Sequence, residues 1–329
     1  MHPFYRLFES LWRFCFVAVL TLASGTSAFA QQPATNSITV TIQPTTTGLP
    51  LVVADKQGIF AKHGITVKWS VSPVPISDSI TTLGRQFDVM QGTQPALIAA
   101  SGQGIPVVNI TGGALDTKKV PTSNIVARGG SGITTFKQLE GKTVGTLTLT
   151  GNIHFSLLNI LQKEGVNLDS IRWVIGTVPQ LPDLLRAGRV DAIEEIEPFA
   201  TSAIAAGGIA LGDPFRSIGD RAYIGIWLSQ RAWANNNQAL IMRFNTALDE
   251  ATKWIYANPA EAREILSSYT GLKGPPLQNT PIPEFHFSTS PEDLGAQQRA
   301  DLQTWLDILK RTSDFKPVKV SDMLPSWTK

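Results

Sequence analysis

The sequence is poor in cysteine. Its 329 residues contain one, Cys15, and that residue lies in the N-terminal stretch read below as a leader. A chain that sheds it has no disulfide, no thiolate nucleophile and no thiolate metal site. Charge is sparse as well: Asp, Glu, Lys and Arg make up 16% of the residues, and the net charge is +2. Without a basic excess, nucleic acid is excluded as a partner, and no run of like charges forms an interaction tail. No apolar stretch reaches the ~18 residues that a membrane-spanning helix needs. The nucleophile-elbow, P-loop and dinucleotide-binding patterns are missing too, so no catalytic residue and no cofactor are expected. Of the four histidines, His63 fits a surface turn and His286 a proline-bounded segment. Neither has metal-ligand spacing to another donor, so no metal is expected.

What remains is a globular chain, 43% hydrophobic and long enough for two modest cores. Residues 1–30 read as a cleaved signal peptide. Arg6 and Arg13 supply the positive start, Phe14 to Ala23 the short apolar core, and Ala28-Phe29-Ala30 a small-x-small cleavage site before Gln31. An uncleaved anchor is the alternative. No cysteine follows the apolar core to carry a lipid. Removing Arg6, Arg13 and Glu9 from the 28 basic and 26 acidic residues leaves 26 and 25, a near-neutral exported protein. The expected compartment is a bacterial periplasm.

From Ser37 onward short β-rich runs alternate with helical patterns, which implies mostly parallel sheets flanked by helices. Strands are expected at 38–42, 65–71, 87–90, 107–110, 125–127, 143–146, 173–175, 190–193 and 223–229. Helices are expected over 49–60, 152–164, 240–258 and 300–309, the second with Ile153, Leu157, Leu158 and Leu161 on one face. A Gly/Lys/Pro-rich stretch from Gly112 to Pro121 marks a crossover between lobes. The economical architecture is one interrupted lobe, 37–122 with 217–329, and one inserted lobe, 123–216.

Several motifs then carry a family likeness. Gly58-Ile59-Phe60-Ala61-Lys62-His63-Gly64-Ile65 resembles the G-x-F-x-K-x-G-[LI] opening of one group of periplasmic binding proteins. Gly84-Arg85-Gln86-Phe87-Asp88, Gly104-Ile105-Pro106-Val107, Leu139 to Gly145, Gly188-Arg189-Val190-Asp191-Ala192, Glu197-Pro198 and Asn258-Pro259 follow in the group's order. The group serves ABC importers for aliphatic sulfonates, taurine and nitrate, and includes binders of thiamine-pyrimidine precursors. The resemblance spans roughly 38–270 and implies a type II periplasmic binding fold, two lobes closing on ligand in the cleft between them. It also implies ABC permease subunits as partners, a monomeric chain and no enzymatic activity. Two other readings stay open: an enzyme of thiamine-pyrimidine synthesis on the same fold, against which the missing cysteines argue, and a sensory module docking on a receptor.

In open parallel sheets ligands lie beyond the carboxyl ends of strands, and three turns are expected to converge there. Thr148 to Phe155 follows a strand and opens a helix, so free backbone N–H groups and the positive helix end would face the cleft. Thr148, Gly151, Asn152 and His154 are the candidates in it. Thr150 stands where the family commonly has glycine. Thr93 and Gln94 belong to the matching turn of the first lobe, and Gln43 and Thr45 to the turn after its first strand. The run Asp191 to Pro198 holds Glu194, Glu195 and Glu197. Adjacent glutamates do not suit the middle of a strand buried on both faces, so the strand is expected to end near Ile193. Glu195 and Glu197 would then sit at the cleft edge, or else pair with surface cations. Sulfonate-type relatives often have tryptophan where Ile196 stands, which argues against an aliphatic sulfonate. A helix end that favours an anion, set beside carboxylates that favour an N–H donor, points to a nitrogen-bearing solute.

Overall fold

A computed structural model describes residues 36–72, 79–178 and 180–328. Residues 1–30, read above as a signal peptide, with Cys15 and the Ala28-Phe29-Ala30 motif, lie outside the described residues. Among the described residues no helix is long and apolar enough to cross a membrane.

The first lobe is built on a sheet of β1 (Ser37–Ile42), β2 (Thr66–Val71), β3 (Val89–Gly92) and β4 (Val107–Thr111). The chain then runs through β5 (Ala114–Thr117) into the second lobe. There it forms β6 (Ser123–Ala127), β7 (Thr143–Thr146), β8 (Arg172–Ile175), β9 (Ala192–Ile196) and β10 (Ile209–Gly212). It returns through β11 (Arg221–Tyr223) to β12 (Ile226–Gln230), and β13 (Glu284–Phe285) follows. The two five-stranded sheets have the orders β2-β1-β3-β12-β4 and β10-β6-β9-β7-β8. In the first, only β12 opposes its neighbours; in the second, β6 runs against β9 and β10, while β7 is parallel to β8 and β9. A third, antiparallel sheet, β11-β5-β13, holds the two connecting strands side by side. The molecule is therefore a two-lobed α/β protein with mostly parallel sheets.

The helices that matter to the site are α1 (Leu49–Lys56), α2 (Gln94–Gly102), α3 (Asn152–Lys163), α4 (Leu181–Arg186), α5 (Phe199–Ala205), α6 (Gln238–Ala257) and α7 (Pro259–Thr270). A long C-terminal helix, α8 (Pro291–Thr312), is started by Ser290, whose side chain accepts the Asp293 N–H at 3.1 Å. Its buried face (Leu302, Trp305, Leu306, Ile308 and Leu309) joins Leu97 and Ile98 of α2 to Leu157, Leu158 and Leu161 of α3 in one apolar cluster. The lobes thus share a core behind the connecting strands. A separate cluster under α1 and α6 fills the other face of the first sheet, and Leu181, Leu185, Val190, Ile193 and Ala203 fill that of the second.

Three expectations are corrected. The helix expected over 49–60 ends at Lys56, because Gly58 adopts a left-handed φ of +67°. The strand expected over 223–229 is two strands, β11 and β12, broken at Ile224-Gly225. The break lets the chain leave the small sheet and enter the large one, and it is crowded: a Cβ on Gly113 would meet the Gly225 carbonyl oxygen at 2.6 Å. The strand expected to stop near Ile193 runs on to Ile196, with Glu194 and Glu195 inside it. Glu194 is matched there by His154 and Thr146, while Glu195 is buried with one oxygen unpartnered.

One charged cluster ties the connecting strands together. The buried Asp116 of β5 accepts hydrogen bonds from the Thr122 amide at 2.7 Å and its hydroxyl at 2.8 Å. Arg216 bridges Asp116 to Asp213, its Nε lying 2.7 Å from Asp213 Oδ2. Burial, reinforced by the nearby Asp213 carboxylate, pushes the Asp116 carboxyl from 3.8 up to about 7 against the Thr122 hydrogen bonds, which favour its ionised form. The folded protein therefore holds a proton between these values that the unfolded chain has lost. Its contribution to stability is fully present below pH 3.8 and is lost as pH rises through about 7. Asp116→Asn should flatten the fall in stability over this interval, by at most ~1.4 kcal/mol per pH unit. Urea denaturation at a series of pH values measures it, and equal slopes in the two proteins would contradict the assignment.

Candidate functional site

Segments following the carboxyl ends of β1 and β7 reach the broken link Ile224-Gly225, which lies just before the β12 residue paired with the end of β3. Asn152, the first residue of α3, donates its side-chain N–H to the Ile224 carbonyl at 3.0 Å. On the other side, a Cβ built on Gly225 would lie 3.5 Å from Thr47 in the turn after β1. The register pairs Gly92 of β3 with Ile226 of β12, so Thr93 and Gln94 continue from the same edge. The turn after β1, through Thr47, and the start of α3, through Asn152, thus both reach Ile224-Gly225, while Thr93 and Gln94 continue the β3 edge that pairs with β12.

The start of α3 is the most constrained element there. Gly151 is its N-cap in an extended conformation, and no side chain caps the helix. The Ile153 amide is taken by Asn152 Oδ1 at 3.0 Å, and the other first-turn amides are left to other partners. Glycine is needed at this position because a Cβ would meet Thr148 Cγ2 at 2.9 Å. The turn is laced by hydroxyls: Thr148 Oγ1 lies 3.1 Å from Thr150 Oγ1 and accepts the Thr150 N–H at 3.2 Å. With that hydroxyl network in place, Thr150 occupies the position where the family commonly has glycine.

His154, one turn in, points down into the lobe. Its Nδ1 lies 2.8 Å from Glu194 Oε1, and the Thr146 hydroxyl donates to Glu194 Oε2 at 2.6 Å. The ring meets Trp173 edge-on, with centroids 4.5 Å apart. His154 and Glu194 are both buried, so this is a dry pair that satisfies both carboxylate oxygens. It is also how β9 carries a glutamate in its interior. Sequence reasoning singled out His154 but missed Glu194, Thr146 and Trp173 as its partners. The signal was available in the strand register. Gly145 pairs with Ile193, which sets Thr146 beside Glu194 on the face toward α3.

The next residue faces the other way. Glu195 is 0% exposed; its Oε1 accepts the Ile196 amide at 3.1 Å, and its Oε2 has no partner. Burial, followed by the charges of Glu197 and Glu194, holds its carboxyl well above the usual range. Glu197, just past the strand, is spent locally: the Thr201 amide and hydroxyl donate to its two oxygens at 3.1 and 2.9 Å. Its carboxyl is also raised by burial. The peptide bond to Pro198 is cis. Neither acid pairs with a surface lysine or arginine among the described residues.

On the first lobe, the Gln43 amide donates to Gln91 Oε1 at 2.9 Å. Thr45 Oγ1 lies 2.8 Å from Thr47 Oγ1, and the Thr45 carbonyl accepts the Tyr269 hydroxyl at 2.7 Å. Thr93 caps α2 by accepting the Ala96 N–H at 3.4 Å. Gln94 is fully buried, and neither its amide nitrogen nor its oxygen has a partner. The remaining histidines lie elsewhere: His63 pairs with Glu250 at 2.9 Å and His286 with the Tyr223 hydroxyl at 2.7 Å.

A model of the family described as NMT1/THI5 like matches residues 45–262. A Haemophilus influenzae protein, provisionally named for thiamine biosynthesis, is 28% identical over 243 residues, which is 70% of this chain and 71% of that one. Among solved structures, the periplasmic aliphatic sulphonate binding protein of Escherichia coli superposes with a TM-score of 0.70 at 18% identity, over 88% of this chain and 97% of that one. The periplasmic nitrate-binding protein of Synechocystis PCC 6803 does so with a TM-score of 0.63 at 13% identity, over 90% and 92%. At such identities the likeness is one of fold.

Removing one partner of the His154–Glu194 pair leaves the other buried without its match. His154→Ala should cost about 3–5 kcal/mol in urea denaturation. A loss below about 1 kcal/mol would show that the pair does not hold α3 in place.

Proposed function

The chain belongs to the NMT1/THI5-like family, and we propose that it is the exported solute-binding component of an ABC importer. In this reading it captures a small polar solute containing nitrogen, sulfur or both, by closure of its lobes in the periplasm, and presents it to the permease. The observation that carries the proposal is the uncapped start of α3. It faces the link between the lobes, where Asn152 of one lobe and Thr47 of the other both abut Ile224-Gly225. The first-turn amides other than that of Ile153, which Asn152 Oδ1 takes, and the positive helix end suit an electron-rich group on the ligand. A site made from both lobes is one that hinge motion opens and closes.

The relatives support a binding role without fixing the solute. Two neighbours of the same fold are named for sulphonate and nitrate binding, and the Haemophilus relative for thiamine biosynthesis. That last name keeps a second reading in play, an enzyme on this fold with the buried His154–Glu194 pair in its cradle. The two readings differ in what happens to the bound molecule.

Protein isolated from its native compartment should release a small molecule on denaturation, identifiable by mass spectrometry. Added back, that molecule should raise the melting temperature as RT ln(1 + [L]/Kd), about 2.7 kcal/mol at a hundredfold excess over Kd, and be recovered unchanged. Recovery of a chemically altered molecule would contradict binding without turnover and favour the enzyme.

A further inference from the structure

We propose that residues 271–283 are a strap from the first lobe that rests on α5 of the second, and that small molecules reach the start of α3 when it lifts. The inference rests on the binding reading above and adds to it the element that controls exchange.

The strap begins at the turn after β1. Tyr269, near the end of α7, donates its hydroxyl to the Thr45 carbonyl at 2.7 Å, and Thr45 Oγ1 lies 2.8 Å from Thr47 Oγ1. Left-handed backbone at Gly271 and Gly274, with φ of +75° and +62°, then turns the chain out of α7 and into a short helix, Gly274–Asn279. That helix packs on α7, from which the chain has come, and on α5 of the other lobe. Helix α5 starts at Phe199, directly after β9 and the Glu197-Pro198 link. From Thr280 the chain runs to β13, which pairs with the connecting strand β5. The segment is thus rooted beside the turn after β1, rests at its tip on the element after β9, and ends beside the link between the lobes.

Root and tip are held differently. Ser267 Oγ donates to the Leu272 carbonyl at 2.5 Å, Arg263 Nη1 to the Thr280 carbonyl at 2.8 Å, and the Thr280 hydroxyl to the Pro276 carbonyl at 2.6 Å. Leu277 and Ile282 pack on the first-lobe cluster. Pro275 and Pro276 sit in the first helical turn, where the missing N–H groups cost little and the fixed φ stiffens the arm. The seat on α5 has nothing comparable. The Thr201 hydroxyl is already taken by Glu197 at 2.9 Å, and the Ser202 hydroxyl by the Pro198 carbonyl at 3.2 Å. Among the described residues no hydrogen bond or ion pair joins the short helix to α5, and none of the helix's own residues is buried. An arm rooted by hydrogen bonds and seated without them parts at the seat, which is how a gate behaves.

The test measures access with a thiol reagent, dithionitrobenzoate, on protein isolated after export. Thr150→Cys sets one thiol beside the start of α3, and Lys142→Cys sets one just before β7, at the strand's other end. The protein without either reporter gives the background. Each reporter is combined with an unseated strap, Pro275→Gly, Pro276→Gly, Leu277→Gly and Gln278→Gly together, and separately with Tyr269→Phe, which frees only the root. The Thr150→Cys thiol should react about tenfold faster with the unseated strap and about threefold faster with Tyr269→Phe, while Lys142→Cys keeps its rate. Melting temperatures of the strap variants should stay close to the parent's. Equal rates at Thr150→Cys with and without the strap would overturn the proposal. So would equal acceleration at both reporters, which is general loosening, or a strap variant that melts well below the parent, which makes the segment part of the core. No solute enters the experiment, so a strap that fails leaves the binding reading standing, and recovery of an altered molecule in the earlier test leaves the strap standing.

Discussion

The buried contact between His154 and Glu194 fixes the rest of the site. It joins the first turn of α3 to β9 across 40 residues of sequence, in a place that water does not reach. With Thr146 on the second carboxylate oxygen and Trp173 against the ring, the imidazole has no freedom to turn. The helix start is therefore held over the end of the sheet, and its unused amides are directed by a pair that itself does not face the cleft. Asn152 then fastens the same turn to the link between β11 and β12.

The lobes are joined on the opposite side by α8, whose apolar face packs on α2 and α3 together. At the connecting strands Arg216 holds Asp116 and Asp213.

Much of this was legible in the sequence. Alternation of β-rich and helical runs located most strands to within a residue or two, because a parallel strand buried on both faces reads as Ile38, Val40 and Ile42 do. The positions at the carboxyl ends of strands could be named for the same reason. The failures share a cause. Glu194 and Glu195 read as the end of a strand because a charge in a buried strand is costly, and for Glu194 what offsets that cost is contributed by residues remote in sequence. His154 lies on another element and Thr146 on another strand. Likewise, the break at Ile224-Gly225 is set by how closely Gly113 and Thr47 approach it, not by its own residues. The clasp between Asp116 and Arg216, 100 residues apart, leaves no periodic trace. Local pattern finds elements, and only the fold shows which polar atoms are spent.

The most direct measurement is a crystal structure of the protein with the solute it carries from its native compartment. The account predicts electron density for that solute between the lobes, within hydrogen-bonding distance of the first-turn amides of α3 and beside Ile224-Gly225. Density at any other place, with the start of α3 left to solvent, would contradict it.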